Sequence, residues 1–161
     1  MRFRTATVCL LLLLSFGVCT ALAQPTASSQ ADIAMQRALD HYHAGKLNEA
    51  AGLLRGFVVS QSDSDRINQA YYYLALVHRD LDEALIALDY LDRIDPTSTS
   101  PASTLLQAEL RLKMGDAARV VDQLLQINTE TWPLEQRQKH ALALAEGFLA
   151  LDEPHKALYF Y

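Results

Sequence analysis

The side chains with the reach to do chemistry in this 161-residue sequence are five histidines, nineteen acidic residues and two cysteines. His41 and His43 are two apart on what reads as one helix, so they point to different sides and cannot grip one metal ion as an i, i+4 pair does. His78, His140 and His155 have no second histidine close in sequence, and all five read as solvated or helix-end residues. Asp80, Asp82 and Glu83 crowd one turn but lack the spaced oxygen ligands and the glycine of a calcium loop. Asp80-x-x-Glu83 reads better as a capping box that opens a helix. Asp89, Asp92 and Asp95 recur every third residue, the pattern of a solvated helix face. Serines abound in the polar breaks, yet there is no G-x-S-x-G elbow, Walker loop or dinucleotide fingerprint. Nothing sets a nucleophile beside an acid–base pair, so no enzyme, no cofactor and no metal site is expected.

Both cysteines, Cys9 and Cys19, fall in a stretch expected to leave the chain. Arg2 and Arg4 form a positive start, Val8 to Val18 is apolar, and Ala21-Leu22-Ala23 offers an A-x-A cleavage site. Together they describe a secretory signal peptide over residues 1–23, cut between Ala23 and Gln24. The apolar run is short for a membrane span. Phe16-Gly17-Val18 is a poor match to the residues that precede a lipidated cysteine. Removing 23 residues leaves 138 without a thiol, so a disulfide, a thiol nucleophile and a cysteine zinc site are all excluded. Loss of Arg2 and Arg4 takes the net charge from −5 to −7, which argues against general nucleic-acid binding and against adsorption to anionic lipid. The expected location is across the inner membrane, in the periplasm if the source is bacterial. Residues 24–31 begin with the small, polar run QPTASSQ and read as a flexible leader.

The remainder reads as helices. Apolar residues recur near the 3.6 period over about 32–44, with Ile33, Ala34, Ala38 and Tyr42 near one face, and over 47–59 through Ala50, Leu53, Leu54, Phe57 and Val58. Gly52 and Gly56 weaken that second helix unless a neighbour approaches closely. After the polar break Gln61–Asp65, helices are expected over about 66–77 and from Asp80 to before Asp95-Pro96, the latter carrying Ala84, Leu85, Leu88 and Leu91. Tyr71-Tyr72-Tyr73 sends three rings in three directions, one of them away from the core. Ser100 and Pro101 open a helix to Met114, followed by helices over 116–127 and 134–151 and a short last one that Asp152 caps. No segment alternates with the period of a strand.

One unit organises this series: Tyr42-His43-Ala44-Gly45-Lys46-Leu47-Asn48-Glu49-Ala50, in which a helix ends at a glycine and a second begins. Weaker copies lie at Arg79–Ala84, Met114–Ala117 and Leu151–Ala157. With Gly45, Arg79, Gly115 and Asp152 equivalent, the steps are 34, 36 and 37 residues, a period of stacked helical hairpins.

These residues resemble the tetratricopeptide repeat family. Ala38, Gly45, Leu47, Ala50 and Phe57 match its first repeat, and Leu81, Ala84 and Pro96 its second, with Arg79 where glycine is usual. Ala108, Gly115 and Ile127 match a third, with Val120 in place of alanine. Ala157 matches a fourth, with Pro154 at the aromatic position. The resemblance implies an all-α fold of stacked antiparallel hairpins over residues 32–161, about three and a half repeats, with Leu144 and Phe148 partly uncovered at a truncated C-terminal end. It implies a concave groove that takes a protein or peptide partner, lined by Met35, Tyr42, Arg66, Gln69, Tyr73, Glu109, Lys113, Lys139 and Glu146. Tyr73 is the expected anchor. The expected role is an exported adaptor or scaffold; the alternative is the N-terminal periplasmic domain of an outer-membrane export or assembly machine. No nucleic acid and no membrane span after cleavage is expected, and the open C-terminal end offers a surface for self-association.

Overall fold

A computed structural model describes residues 27–161. The expected signal peptide, its Ala23–Gln24 cleavage point and residues 24–26 of the leader lie outside the described residues. Among the described residues eight α-helices follow one another: α1 (Ala27–His43), α2 (Leu47–Ser60), α3 (Ser64–Asp80), α4 (Ala84–Asp92), α5 (Pro101–Lys113), α6 (Ala117–Leu125), α7 (Leu134–Ala150) and α8 (Pro154–Ala157). A 3-10 turn, Pro96–Ser98, occupies part of the stretch read as loop before α5. There is no strand among the described residues. The fold is all-α, as expected, and the helices pack in sequence-adjacent pairs: α1 with α2, α3 with α4, α5 with α6, α7 with α8.

The four pairs share one turn. Gly45, Asp82, Gly115 and Asp152 all have positive φ, at 72°, 62°, 81° and 61°. At each, the backbone N–H of the left-handed residue donates three residues back, and the next N–H donates five back: Gly45 to Tyr42 and Lys46 to His41, Asp82 to Arg79 and Glu83 to His78, Gly115 to Leu112 and Asp116 to Arg111, Asp152 to Leu149 and Glu153 to Phe148. This is the Schellman ending, which satisfies the last helical carbonyls and reverses the chain. The true spacings are therefore 37, 33 and 37 residues, and Asp82 rather than Arg79 holds the second turn. Aspartate tolerates the left-handed region better than most residues, which is why two of the four turns lack glycine. The expected capping box does not form. α3 runs on to Asp80, whose carboxylate accepts from the Tyr42 hydroxyl at 2.7 Å and from Arg79 Nε at 2.8 Å, and α4 starts at Ala84 with no side-chain cap. Asp152 likewise does not cap α8; it is the turn residue. Ser100 and Pro101 open α5 as expected, with a reciprocal Ser100–Ser103 capping box.

Three buried clusters lie among the described residues. Ala31, Met35 and Ala38 of α1 meet Leu54 and Phe57 of α2 and Leu74 and Val77 of α3. Ala75, Ala87, Leu91, Leu106 and Leu110 join α3, α4 and α5. Ala108, Val120, Val121, Leu124, Leu144, Phe148 and Ala157 join α5, α6, α7 and α8. These clusters link helices of neighbouring pairs as well as those within a pair, and hydrophobic burial supplies the main drive for that packing. Helix α1 starts inside the expected leader because Ala31 is buried and Asp32 pairs with Arg66 at 2.7 Å, contacts that offset weak local propensity. The buried stripe of α1 is consequently Ala31–Met35–Ala38, and Ile33 is exposed; in α4, Ala87 and Leu91 are buried while Leu85 faces out.

Other expectations are corrected by packing. Leu144 and Phe148 are buried, since Ala157 packs on them and Phe160 stacks on the Phe148 ring at 5.7 Å. His78 and His140 are not solvated: both are buried, His78 Nδ1 lies 2.6 Å from Glu83, and His140 Nε2 lies 3.0 Å from the Leu124 carbonyl. A Cβ on Gly52 or Gly56 would meet nothing within 4 Å, so these glycines only loosen α2. The close approach is at Gly147 in α7, where a Cβ would lie 2.6 Å from Val121 Cγ2.

Candidate functional site

The first helices of the second, third and fourth hairpins line one groove of about 480 Å³. Helix α3 contributes Tyr72, Leu76 and Arg79, spaced four and three residues apart on one face. Helix α5 contributes Ala102, Leu105, Leu106, Glu109, Leu112 and Lys113, and α7 contributes Gln136, Lys139, Leu142, Ala143 and Glu146. The floor is apolar and the rim is charged. Leu142 is 46% exposed, a large apolar side chain that the core does not claim. A second hollow of about 320 Å³ shares Tyr72 and adds Asp65, Asn68, Gln69, Ser98 and Ser100. Tyr72 therefore stands where the two hollows meet.

Four expected groove residues come together here: Glu109, Lys113, Lys139 and Glu146. Gln69 lines the adjoining hollow. Four others do not face the groove. Met35 is 7% exposed in the first cluster, where its unbranched chain fills space between α1 and α2. Tyr42 donates to Asp80 and packs against the same cluster. Arg66 pairs with Asp32 and Asp63. Tyr73 packs against the first cluster, and its neighbour Tyr72 takes the groove. The error is one helical step of about 100°. The rotation of α3 is set by Ala70, Leu74 and Val77 on one side and by Ala75 and buried His78 on the other, and a histidine is not read as a core residue from sequence. Leu76, Leu105 and Leu142 were also missed; their signal is an apolar residue beside charged ones on a helix whose core stripe is already complete.

The rim charges are held by pairs. Lys139 donates to Glu135 at 2.6 Å, a bond that raises the lysine pKa and lowers that of the carboxyl. Lys113 donates to Asp82 and holds that carboxyl below its ordinary value. Burial works against the Arg79 charge, but the bond to Asp80 and the charges of Asp80 and Glu109 outweigh it and raise its pKa. Burial, aided by neighbouring Tyr73, pushes the Tyr72 hydroxyl up, while Arg79 and Lys139 pull it the other way. Among the described residues no group of three histidine, cysteine or acidic side chains converges as a metal site, and no helix is long and apolar enough to cross a membrane.

Behind α5 lies a different arrangement. Arg111 Nη1 donates to Gln123 Oε1 at 2.6 Å, Gln123 Nε2 to Gln107 Oε1 at 2.9 Å, and Gln107 Nε2 to Asp92 Oδ1 at 2.8 Å; Arg111 Nη2 lies 3.8 Å from the same Asp92 oxygen and closes the ring. These partners use one another's donors and acceptors, so the ring ties α4, α5 and α6 together. The groove on the other side of α5 has the open chemistry: apolar floor, accessible aromatic, charged rim. No family model, curated protein or solved structure matches the chain.

Proposed function

We propose that the protein is an exported adaptor of the tetratricopeptide type that holds a segment of another polypeptide in the α3–α5–α7 groove and carries out no catalysis. One observation supports the reading: three successive hairpins each offer, on the same face of their first helix, apolar side chains flanked by charged ones. A chain laid across the helices meets all three in turn. Tyr72 gives it an anchor with an apolar body and a polar tip. The four identical turns support the assignment to hairpin repeats of this kind, whose concave faces are suited to such contacts.

Selection of a displayed library of random nonapeptides on the full chain tests this. Peptides should be enriched on the native protein, and Leu142→Ser, which removes an exposed apolar side chain, should weaken the selected peptides several-fold while leaving the melting temperature nearly unchanged. Equal binding to the native and substituted proteins would place the partner surface elsewhere. The export reading is checked by mass: protein recovered from the cell envelope should begin at Gln24.

A further inference from the structure

The cations of the groove already have close partners, and its carboxylates have none closer than 4.0 Å. Lys139 is bonded to Glu135, Lys113 to Asp82 and Arg79 to Asp80, and none of these three acids lines the groove. Of the groove's own acids, Glu109 reaches Arg79 only at 4.0 Å, and Glu146 has no ion-pair partner among the described residues. The adjoining hollow adds Asp65, whose carboxylate also has no ion-pair partner among them.

Resting on the reading that the groove holds a polypeptide, we infer that the segment it takes carries a basic side chain beside an apolar one. The apolar chain sits on Leu76, Leu105 and Leu142, and the lysine or arginine meets Glu146 and Glu109. An acidic segment must compete with bonds of 2.6–2.8 Å before it gains one of its own, whereas a guanidinium or ammonium adds to carboxylates that lack a close partner. The net charge of −5 works in the same direction, raising the encounter rate with a cationic segment. A single exposed pair changes affinity by about fivefold at most, so the preference is severalfold and falls as salt is added.

The nonapeptide library, selected at low salt, reads this directly. Lysine and arginine should be enriched severalfold over aspartate and glutamate, next to Leu, Ile, Met or Phe. Glu146→Gln should weaken a selected basic peptide by about three- to fivefold. Glu49→Gln, which makes the same charge change on α2, should not. Selected peptides that are acidic or without charge bias, yet still depend on Leu142, would overturn the inference and leave the groove standing. An equal loss with Glu49→Gln would assign the preference to overall charge and overturn it as well. Failure of any peptide to enrich, or binding indifferent to both Leu142→Ser and Glu146→Gln, would overturn the groove reading itself.

Discussion

Alanine at Gly147 should destabilise the protein, whereas alanine at Gly52 should stabilise it, although both glycines sit inside helices. At Gly52 the new methyl meets nothing, and the gain is the helix preference of alanine over glycine, about 0.5–1 kcal/mol. At Gly147 the methyl would lie 2.6 Å from Val121 Cγ2, well inside contact distance. Val121 is buried, β-branched and packed among Leu124 and Leu144, so it has no cheap alternative rotamer. Overpacking of this kind costs about 1–3 kcal/mol. Set against a gain of up to about 1 kcal/mol, the net loss is roughly 1 kcal/mol, a fall in melting temperature of about 3–5 °C for a chain of this size. The decisive step is a double-mutant cycle. In a Val121→Ala background the obstacle is gone, and Gly147→Ala should become stabilising by about 1 kcal/mol, a coupling of about 2 kcal/mol that is ordinary for residues in contact. Thermal and denaturant unfolding of the four proteins measures it. A rise in melting temperature for Gly147→Ala in the native background, matching that of Gly52→Ala, would refute the close approach of α6 and α7.

Three further outcomes follow from the packing. Leu54 is fully buried, so Leu54→Asp should cost several kcal/mol and remove much of the helical circular dichroism signal; a folded, helical variant would deny Leu54 its place in the core. Tyr73→Ala should lower the melting temperature without altering peptide capture, because the ring packs on the first cluster and not in the groove; the opposite pattern would restore Tyr73 as the anchor. The Tyr42 hydroxyl is pushed up to about 12 by burial first and then by its bond to Asp80. A proton held more tightly by the folded than the unfolded chain stabilises the fold below the ordinary value of 10.0, and that contribution is lost as pH rises from there to about 12. Tyr42→Phe should therefore flatten the alkaline fall in melting temperature, and an unchanged fall would show that the bond does not contribute.

Helix existence and pairing were readable because they rest on short-range rules. Apolar spacing marks the helices, Gly45 and Gly115 mark two turns, and Ser100-Pro101 marks a start. Asp152 stands at the fourth turn as its spacing suggests, but the second turn lies at Asp82 and not at Arg79, because an aspartate in the left-handed region looks like a capping aspartate in sequence and only the backbone distinguishes Asp82 from Asp80. The groove was half readable. The expected residues of α5 and α7 line one hollow because their helices have one clear buried stripe, through Leu106 and Leu110 in one and Leu144 and Phe148 in the other. Helix α3 buries residues on two sides, one for each neighbouring hairpin, and its rotation depends on His78, whose burial is a tertiary event. Met35 differs from expectation for a related reason: it packs with Ala31 and Ala38 against Leu54 and Phe57, a tertiary contact that the spacing on α1 alone does not show.

The polar ring around Arg111 has a consequence for how the molecule melts. The first and second clusters are joined by Tyr71 and Tyr90, which pack against both, with rings 6.2 Å apart. The second and third clusters share no residue. Helix α5 gives Leu106 and Leu110 to one and Ala108 to the other, and the side-chain contacts that span the seam beside it are hydrogen-bonded and partly wet. Side-chain ladders of this kind transmit less cooperativity than shared apolar packing, since water can replace each bond at little net cost. Apolar coupling between the second and third clusters therefore runs through α5 itself, which divides the chain into two blocks within the third hairpin, and its calorimetric transition should be broader than that of a single unit of the same length. The groove runs from α3 in one block to α7 in the other. A bound segment is then a splint across the seam, sharpening the two transitions toward one, and occupancy of the groove becomes visible as a change in the width of melting as well as in its midpoint.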